Sequence, residues 1–305
     1  MRLWPFFLLS AALLLSAIEQ SCTCRPDLKS VNIDGSSTVY VISEAVAEEY
    51  QKRYKGRVSI GVSGTGGGFK KLCSGRINII GASRPISQAE KELCTKNNIN
   101  PGEFSVALDG IVIAVNQKNT WIQDISIEIL RTLFEPGAEG KIINWSDLNP
   151  SWPQRKIAIF SPGIASGTYD YFTKVIVGKE HASRGDITSS EDDNVLVHGV
   201  RSNLDSIGFF SFAYYQENRG DLKALPLSMP NGSVVRPSVQ SIQDGSYKPL
   251  SRPVYIYADQ KRLTNTENIF LRFYLESSAE LAPDVGFIAL DHEAQTESLQ
   301  KLASE

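Results

Sequence analysis

Three times in this chain a short apolar, β-branched run stops at a turn of glycine and hydroxyl residues and passes straight into a helical pattern. The turns are "GSST" (Gly35 to Thr38), "SGTGGG" (Ser63 to Gly68) and "SGT" (Ser166 to Thr168). Strands that alternate with helices in this way argue for largely parallel sheets with helices on both faces, an α/β architecture. The same junction gathers chemistry. A helix N-terminus offers unpaired N–H groups and a partial positive charge, and in open α/β sheets these junctions lie at the carboxyl ends of strands, where ligands bind. Ser and Thr hydroxyls add donors that rotate to suit, and glycine removes the Cβ atoms that would hold a small tetrahedral anion away.

Two familiar phosphate loops are excluded by spacing. A Walker A loop needs G-x-x-x-x-G-K-[ST], but counting from Gly64 places Phe69 at the second glycine and Lys71 at the hydroxyl. The dinucleotide fingerprint G-x-G-x-x-G fits Gly64 and Gly66 and then also meets Phe69. An enzyme of the serine hydrolase type lacks its elbow, because "GVSGT" has Thr65 in place of the last glycine and "IASGT" has no first glycine. A hydrolase or phosphatase is therefore the weaker alternative to a binding protein.

The periodicity supports strands at "SVNIDGSS", "RVSIGVSG", "INIIGAS" and "RPVYIYAD", with "IGFFSFAYYQEN" and "LKALPLS" strand-like between turns. Helices are expected over "VYVISEAVAEEYQKRY", with Ile42, Ala45, Val46 and Tyr50 on one face, over 67–73, over 127–134, from "SGTYDYF" onward, and over "TENIFLRFYLESS". Ser87 and Glu90 form a capping box that starts another at "QAEKELCTK". "SVALDGIVIAVN" is a long apolar strand and the best path from one domain into another.

Arg2 followed by the apolar run Trp4 to Ile18 reads as an export signal, 1–21, with Cys22 as a candidate lipid-carrying mature N-terminus. Roughly 280 residues then remain, enough for two modest domains. Export makes a Cys73 to Cys94 disulfide possible. His181, His198 and His292 are scattered and no second close Cys or His pair exists, so no metal site is expected. The net charge of −3 excludes a protein that tracks along nucleic acid or coats an anionic membrane. An anion held here is held by local dipoles.

"DGSSTVYVISEAVAEEY", "GTGGGFKKLCSGRINIIGASRPIS", "LFEPGAEGKIINWSDLNPSWP", "FSPGIASGTYDYF" and "EDDNVLVHGV" with "IGFFSFAYY" follow one another along nearly all of the mature chain. Together they resemble the successive blocks of the phosphate-binding (PstS) family of bacterial phosphate ABC transporters. The resemblance implies a two-lobed periplasmic binding protein of type II, with mixed, largely parallel sheets flanked by helices and the ligand in the interdomain cleft. The lobes are expected at 28–111 plus 222–305, and at 112–221. The implied ligand is inorganic phosphate, with sulfate or molybdate as the alternative oxyanion, and the implied partner is the membrane permease of the transporter. Neither a cofactor nor nucleic acid is implied, and a monomer is expected.

Carried over by motif, Ser37, Thr38 and the Val39 N–H donate from the first turn, Thr65 and Ser63 from the second, and Ser166, the Gly167 N–H and Thr168 from the third. The chain departs from the best-known members at two charged positions, reading Arg84 where they have an Asp and "FSPGIA" where they have an Arg. The expectation is an exchange of charges, with Arg84 supplying the guanidinium fork and Asp109 the carboxylate.

Overall fold

The computed structural model describes residues 30–304; the expected leader, Cys22 and Cys24 lie outside them. β1 (Val31–Gly35) runs parallel to β2 (Val58–Ile60) and β3 (Ile79–Ala82), connected by α1 (Ser37–Tyr54) and α2 (Gly64–Cys73). Ile42, Val46 and Tyr50 are buried on one face of α1, as the 3.6-residue spacing predicts, and each such side chain contributes roughly 1.5–3 kcal/mol. α3 (Gln88–Lys96) opens on the capping box of Ser87 and Glu90, and Cys73 at the end of α2 is disulfide-bonded to Cys94 in α3.

β4 (Gly102–Asn116) is the long apolar strand, about 50 Å at 3.3 Å per residue. The chain continues through β5 (Ile125–Ser126), α4 (Ile127–Phe134), α5 (Trp145–Leu148), β6 (Ala158–Pro162) and α6 (Gly167–Phe172). β7 (Thr188–Ser190), α7 (Asp193–Ser202), β8 (Ser206–Ser211) and α8 (Phe212–Asn218) follow. Next come β9 (Leu222–Ala224), β10 (Leu227–Ser228), β11 (Val234–Val235), α9 (Val239–Gln243), β12 (Ser251–Ala258), α10 (Asn265–Leu281) and α11 (His292–Ser304).

The hydrogen-bonded path runs β2-β1-β3-β12-β4-β8-β6-β7, with β9 also on β4, and β11-β10-β5 form a separate small sheet. β4 serves both lobes. Its first part pairs with β12 as far as Gly110, and from Ile111 it pairs with β8. One hydrophobic core, around α1, β12 and α10, belongs to the first lobe; another, around β6, β8 and α7, belongs to the second.

One expectation is revised, and the sheet is mixed. The outer strands of each lobe are parallel, but the centre is antiparallel, because β4 and β12 carry the chain between lobes in opposite directions. The strand-like segment 207–218 is a strand only to Ser211. There Ser211 caps the first turn of α8 by accepting from Ala213 N–H, and the Asp109 carboxylate accepts the Phe212 N–H. β9 pairs with the second part of β4, and Leu222, Leu225, Leu227, Ile242, Tyr247 and Leu250 join the second core.

Candidate anion-binding site

Five parallel strands, β1, β2, β3, β6 and β7, end towards the cleft and hand over to polar turns. β1 delivers Ser37 and Thr38 on the first turn of α1, and β2 delivers Thr65 on the first turn of α2. β3 leads to Ser83 and Arg84, β6 leads to Ser166, Gly167 and Thr168, and β7 leads to Asp193. The turns after β1, β2 and β6 are the three read from sequence, a β-branched run broken by hydroxyls and glycine.

These turns meet. Thr38 Oγ1 lies 3.1 Å from Thr168 Oγ1, joining the first turns of α1 and α6 across the lobes. Thr65 Oγ1 accepts the Ser83 N–H at 3.1 Å and lies 3.3 Å from the Ser83 hydroxyl. Gly167 stands against the same pair, since a Cβ there would come within 2.6 Å of Thr65 Oγ1 and 2.7 Å of Ser83 Oγ. Thr38, Thr65, Ser83, Ser166 and Thr168 are all buried. Ser36 places no side-chain oxygen on the first turn of α1, so the N–H groups of Ser37, Thr38 and Val39 have no intrahelical acceptor. Ser166 Oγ accepts the Thr168 N–H at 3.1 Å and so acts as a helix cap.

The cation of this cluster is Arg252, which the sequence reading missed. From β12 its Nη2 donates to Thr168 Oγ1 at 2.6 Å and to Asp109 Oδ2 at 3.1 Å, and its Nη1 donates to the Gly167 carbonyl at 3.1 Å. The signal was an arginine opening an otherwise apolar strand, "SRPVYIYA". Ser83 was equally legible, as a hydroxyl at the end of a strand.

Two buried acids differ in their partners. Asp109 accepts from Ser211 Oγ at 2.7 Å and from Phe212 N–H at 3.2 Å on one oxygen, with Arg252 on the other. Burial raises its pKa, and the Arg252 charge opposes the rise. Asp193 accepts from Ser37 Oγ at 2.7 Å through Oδ2, while its buried Oδ1 has no hydrogen-bond partner among the described residues. Burial pushes this carboxyl up to about 7; the Ser37 hydrogen bond opposes the rise and the Asp109 charge adds to it.

Two expected donors are committed elsewhere. Ser63 turns away, its hydroxyl and N–H donating to Asp34 Oδ1 at 2.7 and 3.1 Å beside an Asp34–Lys71 ion pair near the end of β1. Arg84 does not offer its fork to the cluster. Its Nε donates to Asp170, its two Nη atoms to Glu90, and Nη1 also to the Pro85 carbonyl, whereas Arg252 donates to Thr168 Oγ1 and the Gly167 carbonyl within the cluster. Asp109 stands beside the hydroxyl cluster as the partner that orients Arg252.

The glycine loop has a second use. Gly64 has φ +74°, and a Cβ there would lie 2.5 Å from the Ala165 carbonyl of the other lobe. The Gly66 N–H donates to that same carbonyl at 2.9 Å. The bare backbone therefore admits the opposite lobe at close range.

Residues 23–277 match the family model described as a PBP superfamily domain. The chain is 46% identical over 276 residues to protein SphX of Synechococcus elongatus, covering 90% of this chain and 81% of that protein. It is 39% identical to the phosphate-binding protein PstS of Staphylococcus saprophyticus, over 88% of this chain and 83% of that one. Among solved structures, a Clostridium perfringens protein assigned provisionally as a phosphate ABC transporter substrate-binding protein, with bound phosphate, superposes with a TM-score of 0.73 at 25% identity, covering 86% of this chain and all of that one.

Proposed function

This chain belongs to the PBP superfamily and, within it, to the family of phosphate-binding proteins PstS and SphX, and we propose from that premise that its cleft binds inorganic phosphate as the substrate-binding protein of an ABC transporter. The observation that carries this reading is the meeting of Thr38, Thr65, Ser83, Gly167 and Thr168, from four strand ends in two lobes, beside one buried guanidinium. Hydroxyls and the α1 N–H groups donate without carrying charge, and the Arg252 fork supplies one charge-assisted donor. Closure of the lobes removes water from these donors, which strengthens each of them.

The phosphate-contacting set is Ser37, Thr38, the Val39 N–H, Thr65, Ser83, the Gly167 N–H, Thr168 and Arg252. Asp193 takes the role expected of Asp109. Phosphate near neutrality keeps at least one proton, and Asp193 Oδ1 is a buried oxygen with no other partner to share it with. Sulfate has no proton to offer, and a site built to pair a substrate proton rejects the analogue lacking it by roughly 10⁴–10⁵ in favourable cases.

The lobes in this reading comprise 30–110 with 251–304, and 111–250. The protein works as a monomer on the outer side of the cell membrane, anchored through a lipid on Cys22, and hands phosphate to the permease. Calorimetric titration of the mature, phosphate-stripped protein with phosphate and then sulfate tests the ligand. Saturable binding of phosphate alone is expected, and a preference for sulfate or molybdate would replace this reading. No turnover of a chromogenic phosphate ester is expected.

A further inference from the structure

The contacts that cross the cleft include two groups. One surrounds the hydroxyl cluster, with Thr38 on Thr168 and Ser37 on Asp193. The other centres on Arg84, whose guanidinium is fixed within the first lobe: Glu90 takes Nη1 at 2.8 Å and Nη2 at 2.9 Å, the Pro85 carbonyl takes Nη1 at 3.1 Å, and the Phe69 ring lies 5.6 Å from Cζ. Glu90 is itself held, because the oxygen on Nη1 also accepts the N–H and hydroxyl of Ser87 at 2.8 Å each, in the capping box of α3. A guanidinium braced in this way presents Nε–H in one direction. There, in the second lobe, it meets Asp170 Oδ2 at 2.6 Å. Asp170 sits on α6 two residues beyond Thr168, its side chain is 2% exposed, and its other oxygen lies 3.0 Å from His181 Nδ1.

We propose that Arg84 and Asp170 form a latch between the lobes, a positioning pair that seats α6 against the first lobe and sets how fast the closed cleft reopens, without touching the anion. This rests on the reading of the cleft as a phosphate site. Reopening must part a desolvated, charge-assisted hydrogen bond, whereas the first encounter of open lobes with phosphate does not involve it. Because Glu90 and Phe69 already hold the fork in place, each closing orders little that was not ordered before. The glycine loop adds a neutral contact next to it, through Gly66 N–H and the Ala165 carbonyl.

The test is stopped-flow fluorescence with inorganic phosphate on the full mature chain, comparing the parent with Asp170→Asn, Arg84→Gln and the double variant. Each single variant should release phosphate about tenfold faster or more, with association changed by less than about threefold. The double variant should be no faster than the worse single one, because one interaction is lost in all three. Release within about twofold of the parent, or single effects that add in the double variant, would overturn the latch. If Asp170→Asn does not fold, Arg84→Lys takes its place, keeping the charge without the fork and expected to shift release in the same direction. A parent that does not bind phosphate sinks the reading of the site; a parent that binds while the variants release at its rate sinks the latch alone.

Discussion

Asp109 and Arg252 stand directly opposite each other on antiparallel strands, one position before the long strand β4 gives up β12 for β8. The pair is 3.1 Å apart and each side chain is 1% exposed. From that point the guanidinium reaches Gly167 and Thr168 in the other lobe. The carboxylate fixes the fork and the fork holds the SGT turn, so this pair couples the place where the lobes join to the hydroxyl cluster.

Arg252→Ala should therefore weaken phosphate by about 2–5 kcal/mol, the range for losing one partner of a buried hydrogen-bonded charge pair. Arg252→Lys should recover only part, since a point charge cannot serve Asp109, Gly167 and Thr168 together. Calorimetry on both variants measures this, and parent-like affinity in the alanine variant would remove Arg252 from the site.

Asp109→Asn acts chiefly on stability. It leaves a buried guanidinium without its counter-charge, and about 3–5 kcal/mol should be lost in chemical denaturation of the ligand-free protein. Rejection of sulfate should persist, because the Asp109 oxygens are occupied by Ser211, Phe212 and Arg252. Competition binding with both anions checks the second half.

Asp193→Asn should do the opposite, admitting sulfate and narrowing the selectivity by at least about tenfold. It should also change the pH dependence of folding. An unfolded aspartate titrates near pH 4, roughly, while the folded Asp193 carboxyl is pushed up to about 7. Between those values the folded state keeps a proton that the unfolded chain has lost, so this group's contribution to stability falls as pH rises through that window and is level above it. Thermal melts of ligand-free parent and variant from about pH 4 to 8 should show the parent falling more steeply across the window. Parallel curves would place the titration elsewhere.

Gly64→Ala should hinder closure while leaving the lobes folded. The residue has φ +74° and its new Cβ would strike the Ala165 carbonyl of the other lobe, so a loss of about 1–3 kcal/mol in phosphate affinity is expected. Small-angle scattering with saturating phosphate should show a more open molecule than the parent, and an equal radius of gyration would count against a closing role for the loop.

The mature N-terminus should be Cys22, carrying lipid. Three acyl chains hold a protein at a membrane firmly, at about 0.8 kcal/mol per buried CH₂. Intact-mass measurement of the protein from its native membrane fraction decides, and an unmodified start at any other residue excludes the anchor.

The hydroxyl turns, the capping box at Ser87 and Glu90 and the buried face of α1 were legible in the sequence because each depends on residues within a few positions of one another. The end of β8 was less so: "FAYYQEN" continues the apolar run of the strand before it, and the helix begins there where Ser211 caps it and Phe212 N–H donates to the distant Asp109 carboxylate. The charges were beyond reach, and Ser-Arg-Pro shows why, since it occurs twice, at Ser83 to Pro85 and at Ser251 to Pro253. By itself the sequence established an α/β chain with neutral donors at its strand ends. It did not say which arginine stands among them. Glu90 and Asp170 claim Arg84, while Asp109, 143 residues away in the chain, turns Arg252 to Thr168. A guanidinium goes to whichever carboxylates the folded lobes bring within hydrogen-bond range, and that distance is set by tertiary packing.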